Sequence, residues 1–232
     1  MVRVLTPPRV RGTEYLDSPD VAPSVVQRSL KDVARSNALF GGTRAVLSEL
    51  RPVFATAAGR RLTLLDVGSG IGDIPKAARE LAHRRGVQLV TVSLDGSHAL
   101  AAPSRARGNL ALCGDALSLP FADGSVDIVM CSQVLHHFRD DDACRLISEM
   151  HRVAATRVVI ADLRRSWIAA AGIWLVSFPL RFHPVSRHDG VVSVMRGFVP
   201  PELRALVRRA VGVESRVRRR FGFRVTASWA RA

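Results

Sequence analysis

The sequence predicts an α/β fold with a mostly parallel sheet, and three observations support this prediction. Apolar segments of strand length alternate with helix-like segments between residues 61 and 163, which implies a parallel sheet with helices on both faces. A glycine-rich turn follows the first apolar segment, and the first three apolar segments all end in acidic residues. Together these features predict a Rossmann-like sheet of seven strands that closes with an antiparallel C-terminal hairpin.

The glycine-rich turn lies within residues 64–73 and is the most informative part of the sequence. Asp66 ends the first apolar segment, and Gly68, Gly70 and Gly72 follow at alternate positions. Glycine allows positive φ angles and leaves no Cβ between the backbone and a bound ligand. A strand, a glycine-rich turn and a helix N-terminus in this order predict a site for a nucleotide-type cofactor.

The glycine spacing and the neighbouring acids indicate which cofactor this site takes. A dinucleotide site needs the pattern G-x-G-x-x-G, but here the third glycine comes one residue early and Asp73 takes its place. Carboxylates at Asp66 and Asp73 repel a pyrophosphate and accept hydrogen bonds from an ammonium group. The charges therefore favour a cofactor with a cationic end, and S-adenosylmethionine (SAM) has one.

Acidic residues also follow the next two predicted strands. The strand at residues 88–94 ends in Asp95 and Gly96, where doubly wound folds hold a ribose diol. The third strand leads to Asp115 and Ala116, and the carboxylate of Asp115 suits an adenine amino group. Ser132 follows the fourth strand, residues 125–131. Each acid alone is equally well explained as a strand-end cap, but three in register with one glycine turn favour a cofactor site.

The chain resembles class I SAM-dependent methyltransferases, specifically small bacterial enzymes that act on small molecules. The segments that carry this resemblance are residues 64–73, 94–96, 113–129, 131–138 and 149–163. The resemblance covers residues 60–165 and implies SAM as cofactor and S-adenosylhomocysteine as its product. It implies that Asp66, Gly68 and Gly70 face the methionine part, Asp95 the ribose, and Asp115 and Ala116 the adenine. The full set of predicted cofactor-binding residues is Asp66, Gly68, Ser69, Gly70, Asp95, Gly96, Asp115, Ala116 and Ser132.

One segment of the chain differs from this family, and three others resemble a particular group of methyltransferases. Residues 154–157 replace the Pro-Gly-Gly that usually precedes strand five, so that loop is expected to be shorter or different. Residues 16–20, 30–42 and 187–193 resemble methyltransferases that accompany type III polyketide synthases. This weaker resemblance implies a phenolic, resorcinol-like or quinone-like acceptor with an apolar tail, methylated on oxygen or carbon.

An insertion after strand five interrupts the strand–helix alternation. Its residues 166–180 are strongly apolar but too short for a membrane span, which needs about 20 residues. The insertion lies past the carboxyl end of strand five, and we interpret it as a helical lid over the crevice where such sheets bind ligands. Trp167, Trp174 and Phe178 are the predicted acceptor contacts. A buried helix without ligand contact and a shallow contact with a membrane surface remain open.

Histidines are the predicted catalytic bases, because a phenol reacts faster as its phenolate and imidazole titrates near neutral pH. His136 and His137 follow strand four, beside the expected position of the sulfonium, and His188 lies in the insertion. We expect His137 or His188 to act as the base and His136 to contact the acceptor. A structural role, with the imidazole bonded to the backbone, remains open for each.

Composition limits the classes of function. The 232 residues suit one domain, and three cysteines without a C-x-x-C pair argue against a disulfide framework. The net charge of +14 is nearly all arginine, spread along the chain without interleaved aromatics, which does not favour nucleic acid as a partner. We identify no metal-ligand pattern, and the oligomeric state stays open. The first residues lack an apolar run of signal-peptide length, so the expected location is cytoplasmic.

Two other functions remain open at this point: an RNA methyltransferase that uses the basic surface, and a protein with the SAM-binding fold that does not methylate. We expect one domain, residues 1–232, in four parts. These are an N-terminal helical cap (residues 1–60), a SAM-binding core (61–163), the lid insertion (164–199), and a last helix with the C-terminal hairpin (200–232).

Overall fold

The computed structural model describes residues 6–18, 20–97 and 104–231. A helix expected from residue 97 to residue 102 lies almost entirely outside these described residues.

The described strands form one sheet of seven in the order β3-β2-β1-β4-β5-β7-β6. The first five pair in parallel, whereas β7 runs antiparallel to both β5 and β6. The predicted mostly parallel sheet with an antiparallel C-terminal hairpin is therefore confirmed. The strands are β1 (Arg61–Val67), β2 (Gln88–Asp95), β3 (Leu110–Cys113), β4 (Val126–Ser132), β5 (Ala154–Leu163), β6 (Arg216–Arg220) and β7 (Arg224–Ala230).

The helix boundaries follow local sequence signals. Ser166 caps one helix by accepting a hydrogen bond from the Ile168 amide at 3.2 Å. Gly212, with a φ of 68°, ends another helix in the left-handed region. The helices are α1 (Pro23–Leu39), α2 (Gly42–Ala55), α3 (Asp73–His83), α4 (Asp140–Val153), α5 (Trp167–Ser177), α6 (Pro184–Arg196) and α7 (Pro200–Val211).

Helices cover both faces of the sheet, as the strand–helix alternation predicts. On one face, α4 and α7 bury Met150 and Leu203 against β4, β5 and β7. On the other, α2 and α3 bury Phe54 and Ala78 against β1, β4 and β5. The N-terminal helical pair α1 and α2 is also as predicted, and α1 packs against α2 and α6.

β1 has β2 on one side and β4 on the other, so the direction of strand order reverses at this point. In open α/β sheets such a switch point leaves a crevice at the carboxyl ends of the strands, where ligands bind.

The insertion after β5 forms two helices, α5 and α6, which pack against each other. The predicted helical character of the insertion is confirmed, although the sequence did not separate out α6 as a helix. The loop expected before strand five is absent, since α4 ends at Val153 and β5 begins at Ala154. No helix among the described residues has the length and apolar character needed to cross a bilayer.

Candidate functional site

The turn after β1 requires glycine at two positions. Gly68 and Gly70 have positive φ angles of 70° and 53°. The Gly68 amide donates a hydrogen bond to the Leu94 carbonyl at 2.8 Å, which holds the turn against the end of β2. A Cβ on Gly68 would overlap the Val134 side chain. The turn therefore adopts a shape that other residues do not fit, and its backbone lies open to the crevice.

Three carboxyl groups surround this turn, of which Asp66 is buried and Asp73 and Asp95 are partly buried. Burial raises the pKa of Asp66, Asp73 and Asp95, and the charges of the other two raise the pKa of Asp66 further. Asp66 is 2% exposed, and its Oδ1 has no hydrogen-bond partner among the described residues. Asp95 instead accepts hydrogen bonds from the Gly70 amide at 2.9 Å and the Ser97 amide at 3.1 Å. The protein by itself therefore disfavours the ionised form of these carboxyl groups, most of all at Asp66, and a cation bound there would favour it.

A cavity of about 870 Å³ lies over the turn at the carboxyl ends of the strands, and we call it the cofactor cavity. Asp115 lies on its wall and accepts a hydrogen bond from the Leu117 amide at 2.8 Å. All of the predicted cofactor-binding residues line this cavity: Asp66, Gly68, Ser69, Gly70, Asp95, Gly96, Asp115, Ala116 and Ser132.

The cofactor cavity fits SAM in both size and charge. Its volume lies within the range of small-molecule sites, which is about 300–1,000 Å³. The unpartnered oxygen of Asp66 is suited to accept a hydrogen bond from an ammonium group, and a nearby cation offsets the cost of burying its charge. A pyrophosphate would instead meet three carboxylates.

A second cavity of about 550 Å³ adjoins the first, and we call it the apolar cavity. The two share part of their walls, including Leu16, Val33 and Gln133. The apolar cavity lies between α1, α5, α6 and the turn of the C-terminal hairpin. Its apolar lining includes Phe40, Ile168, Ile173, Val176, Phe182 and Val194.

Three arginines line the apolar cavity, and because Arg220 is paired with Glu49, Arg164 and Arg224 are the two without an ion-pair partner among the described residues. Arg224 is 3% exposed, and its Nη1 donates a hydrogen bond to Gln133 Oε1 at 2.7 Å. Burial lowers the pKa of Arg224 to about 10, against the opposing charge of Asp162. Arg164 lines the same cavity, and its buried Nε has no hydrogen-bond partner among the described residues. Neither guanidinium lies within 4.0 Å of a described carboxylate oxygen that would form an ion pair.

His136 lies on the wall of the cofactor cavity and is held by Asp162 at the end of β5. The His136 Nδ1 is 2.7 Å from Asp162 Oδ1, and the His136 amide donates to Asp162 Oδ2 at 3.1 Å. Burial alone would raise the pKa of Asp162, but the charge and hydrogen bond of His136 lower it. An ionised Asp162 places the imidazole proton on Nδ1 and leaves Nε2 as an acceptor. That Nε2 is buried and has no hydrogen-bond partner among the described residues, and Glu14 Oε1 lies 3.8 Å from it.

His137 also lines the cofactor cavity but belongs to an ionic network. Its Nδ1 is 3.0 Å from Asp17 Oδ1, and Arg196 donates to Asp17 at 2.8 Å and to Glu14 at 3.1 Å. Burial alone would lower the pKa of His137, but the hydrogen bond to Asp17 and the charges of Glu14 and Asp17 raise it. His137 is therefore stabilised as a cation, which is the opposite of what a base requires.

Glu14, His136 and His137 place one possible metal-ligand atom each within 4.8 Å of one another. The Arg196 guanidinium, 3.1 Å from Glu14 Oε1, opposes a divalent cation at this position. We therefore interpret the cluster as a hydrogen-bonded network.

His188 lines neither cavity. Its Nδ1 is 2.8 Å from Asp189 Oδ1, and its ring packs on Tyr15 with the ring centroids 4.6 Å apart. The Asp189 carboxylate in turn accepts hydrogen bonds from the amides of Tyr15 and Leu16. This position corrects the prediction of His188 as a base, because the side chain fastens the N-terminal segment to α6 instead of facing a ligand.

The predicted acceptor contacts Trp167, Trp174 and Phe178 also line neither cavity. They are 52%, 48% and 46% exposed, on the outer face of α5. The inner face of the same helix lines the apolar cavity, with Ala169, Gly172, Ile173 and Val176. The prediction therefore differs from the structure in the face of α5 that lines a cavity, because α5 is apolar all round and its sequence carries no signal of which face is inside.

The sequence analysis missed Asp162, Arg164 and Arg224. Asp162 follows the pattern of the other strand-end acids, so the same signal would have found it. Arg164 and Arg224 carry no such signal, since they are two of many arginines in the sequence.

A comparison with protein families agrees with this site. Residues 65–160, from β1 to β5, match the family described as "Methyltransferase domain". An uncharacterized methyltransferase from Mycobacterium sp. (strain JLS) is 38% identical over 117 residues, which is 50% of this chain and 44% of that protein. Ajmaline N-methyltransferase from Rauvolfia serpentina is 31% identical over 103 residues, which is 43% of this chain and 35% of that enzyme. The chain thus spans less than half the length of these relatives.

Solved structures share the fold. A SAM-dependent methyltransferase from Aquifex aeolicus has a TM-score of 0.61 at 16% identity, over 92% of this chain and all (100%) of that one. Magnesium protoporphyrin IX methyltransferase from Synechocystis, with bound SAM, has a TM-score of 0.57 at 14% identity, over 86% and 84% of the two chains.

The fold and the cofactor cavity define a class I SAM-binding domain. Residues 65–160 match the methyltransferase domain family, and SAM is the cofactor that the charge and size of the cofactor cavity fit.

Proposed function

We propose that this protein transfers a methyl group from SAM to a small, apolar aromatic acceptor that is phenolic or quinone-like, on oxygen or carbon. The observation that carries the proposal is the apolar cavity, which adjoins the cofactor cavity and shares Leu16, Val33 and Gln133 with it. A compact aromatic ligand there would have its reactive edge towards the cofactor. One relative, ajmaline N-methyltransferase, is named for a small-molecule substrate, which supports a small-molecule acceptor.

The two arginines favour an oxygen-bearing acceptor over a pure hydrocarbon. Arg164 Nε is a buried donor without a partner among the described residues, and Arg224 donates only to Gln133 and the Phe40 carbonyl. A phenolic or quinone oxygen accepts such a hydrogen bond and is favoured near positive charge. The surrounding apolar wall takes the remaining carbon skeleton.

The His136–Asp162 pair is the proposed base. When bound, SAM supplies an electrophilic methyl group on a sulfonium. Asp162 keeps the imidazole proton on Nδ1, so Nε2 can accept the proton that the acceptor hydroxyl loses as its oxygen takes the methyl group. The raised pKa of His137 makes that residue the weaker candidate, and we assign it to holding Asp17 and Glu14.

The His136→Gln variant tests the proposed base, with labelled SAM and a panel of acceptors. The panel contains a resorcinol with a long alkyl chain, a hydroquinone, and a neutral aromatic without a hydroxyl group. We expect wild-type protein to methylate the phenolic acceptors, and His136→Gln to lose about 10²-fold in kcat while SAM affinity stays unchanged. His83→Gln on the exposed end of α3 is the matched control.

Three results would overturn the proposal. Methylation of none of the phenolic acceptors would contradict the acceptor class. Equal loss in His136→Gln and His83→Gln would contradict the base. Salt-sensitive methylation of RNA in place of small acceptors would replace this function with the RNA methyltransferase considered above.

A further inference from the structure

The outer face of α5 is an exposed apolar surface. Its exposed positions recur at the spacing i, i+1, i+4, i+7, i+8 and i+11, which is one face of a helix. Exposed fractions reach 59% at Leu175, and every side chain on this face is apolar. We call this surface the α5 stripe, and its residues are Trp167, Ile168, Ala171, Trp174, Leu175 and Phe178.

Packing within the chain does not account for the α5 stripe. The opposite face of α5 already supplies the internal contacts, with Ala169 and Ala170 buried against Val194 of α6. A helix that only covers the domain needs one apolar face and carries polar residues on the other. Contiguous exposed apolar surface of this kind marks an interaction site on a soluble domain.

Arginines border the α5 stripe. Residues 164–187 contain four arginines and neither Asp nor Glu. At the C-terminal end, the Arg187 guanidinium lies 3.8 Å from the centre of the Phe178 ring, and Arg181 is exposed. Arg28 and Arg35 of α1, each about half exposed, donate hydrogen bonds to the backbone carbonyls of residues 181 and 180. Asp32 lies 3.9 Å from both Arg28 and Arg35, but with Arg181 and Arg187 the arginines outnumber it, so net positive charge lies where the apolar surface ends.

We propose that the α5 stripe docks on the surface of an anionic lipid bilayer. Tryptophan, phenylalanine and leucine favour the boundary between headgroups and acyl chains, where an apolar face is buried by a few ångströms. Each arginine near an anionic surface adds attraction to the lipid phosphates. The helix lies in the plane of the surface and does not cross it.

The net charge of the chain favours a bilayer over a second copy of the chain as the partner of the α5 stripe. The chain carries a net charge of +14. Pairing two α5 stripes would bring the bordering arginines of both copies together, and these like charges would repel each other. An anionic lipid surface would instead attract the same arginines.

The docking surface adjoins the apolar cavity. Ile168 is 51% exposed and also lines that cavity, so the rim of the cavity reaches the α5 stripe. If the proposed function holds, an acceptor with an apolar tail enters from the bilayer past this rim. The docking itself does not depend on methyl transfer.

Vesicle sedimentation and tryptophan fluorescence test the docking. We compare vesicles of equal parts phosphatidylglycerol and phosphatidylcholine with vesicles of phosphatidylcholine alone. The protein is expected to sediment with the anionic vesicles and to dissociate as salt is raised. Trp167 and Trp174 lie in the stripe, whereas Trp229 is 3% exposed in the core, so a blue shift and quenching by brominated lipid report contact by the stripe.

Matched variants identify the surface. Leu175→Gln is expected to weaken vesicle binding by about tenfold, because it replaces a leucine side chain that would be buried in the lipid. Leu110→Gln on the edge strand β3 is the control, since Leu110 is 61% and Leu175 59% exposed. Arg181→Gln is expected to weaken binding by about fivefold. Arg84→Gln, at the exposed end of α3, is expected to leave it unchanged.

Any of three outcomes would overturn the proposal: no sedimentation with anionic vesicles, equal binding to neutral vesicles, or equal effects of Leu175→Gln and Leu110→Gln. A dimer that Leu175→Gln dissociates, without vesicle binding by the wild type, would assign the stripe to a second copy of the chain. Labelled-SAM turnover in solution, measured in parallel, shows separately whether the proposed methyl transfer holds.

Discussion

The two adjoining cavities are built in different ways. The cofactor cavity takes most of its wall from consecutive turns at the ends of β1, β2, β3 and β4, with glycines and acids at fixed positions. The apolar cavity takes its wall from segments far apart in the sequence, chiefly α1, α5, α6 and the hairpin turn. Cofactor binding is thus encoded locally in the sequence, whereas acceptor choice depends on how distant helices pack. Changes on either side of the shared wall should therefore act independently.

The largest effect is expected at Asp162, which holds His136 on the wall of the cofactor cavity. In Asp162→Asn, the amide would donate to His136 Nδ1 and move the imidazole proton to Nε2, so the proposed base would lose its acceptor atom. We expect turnover to fall by about 10²-fold or more with little change in SAM affinity. The loss should shrink above about pH 10, where a phenol ionises without help. A loss that stays constant with pH would assign Asp162 to structure alone.

The next effect concerns the cofactor cavity alone. Asp66→Asn removes the buried carboxylate whose pKa is raised by burial and by its acidic neighbours. We expect SAM affinity to fall about tenfold or more, and the Tm of the protein without ligand to rise. Calorimetry and thermal unfolding measure the two effects. A fall in both would show that Asp66 supports the fold and not the cofactor.

Filling the apolar cavity should leave the cofactor cavity unchanged. An ideal Cβ on Gly172 has no heavy atom within 4 Å, and this residue lines the apolar cavity. Gly172→Leu is expected to weaken acceptor binding by about tenfold and to leave SAM affinity unchanged. The gain in helix propensity, about 1 kcal/mol, raises the Tm.

Ala171→Leu, next to Gly172 but exposed, is the control for that substitution. It gives the same helix a leucine on the outer face, so acceptor binding should stay as in the wild type. Equal effects of the two variants on acceptor affinity would contradict the placement of the acceptor in the apolar cavity.

The smallest expected effect is a dependence of stability on pH. The pKa of His137 is raised above 6.5 by Asp17 and Glu14 despite burial, so its ion pairing stabilises the folded protein below pH 6.5. That stabilisation is lost as the pH rises through the raised pKa. Asp17 stays ionised over this range, because the hydrogen bond with His137 lowers its pKa.

His137→Gln should therefore lower the Tm more at about pH 6 than at about pH 9, by about 2 °C. His83→Gln, which alters an exposed side chain, should show the same Tm difference from wild type at both pH values. The reverse order for His137→Gln would show that this histidine is held neutral in the folded protein.

The sequence predicted the cofactor cavity far better than the apolar cavity, and the reason lies in their construction. Asp66, Gly68 and Asp95 can be placed from the sequence because strand ends of a parallel sheet meet at one edge. The face of α5 cannot be placed this way, since Trp174 and Ile173 are both apolar and only tertiary packing decides which is inside. The role of Arg224 is equally hidden, because its contacts with Phe40, just after α1, and with Gln133 form only in the folded chain.

Asp162 has two roles in the structure. It orients His136, and it lies in β5 one residue before the strand ends at Leu163, where the insertion begins. A graft that exchanges residues 164–199 for the equivalent insertion of another methyltransferase therefore leaves the His136–Asp162 contact in place. The insertion also anchors the N-terminal segment, through Arg196 with Glu14 and Asp17 and through Asp189 with the amides of Tyr15 and Leu16, so a grafted insertion has to keep these two residues.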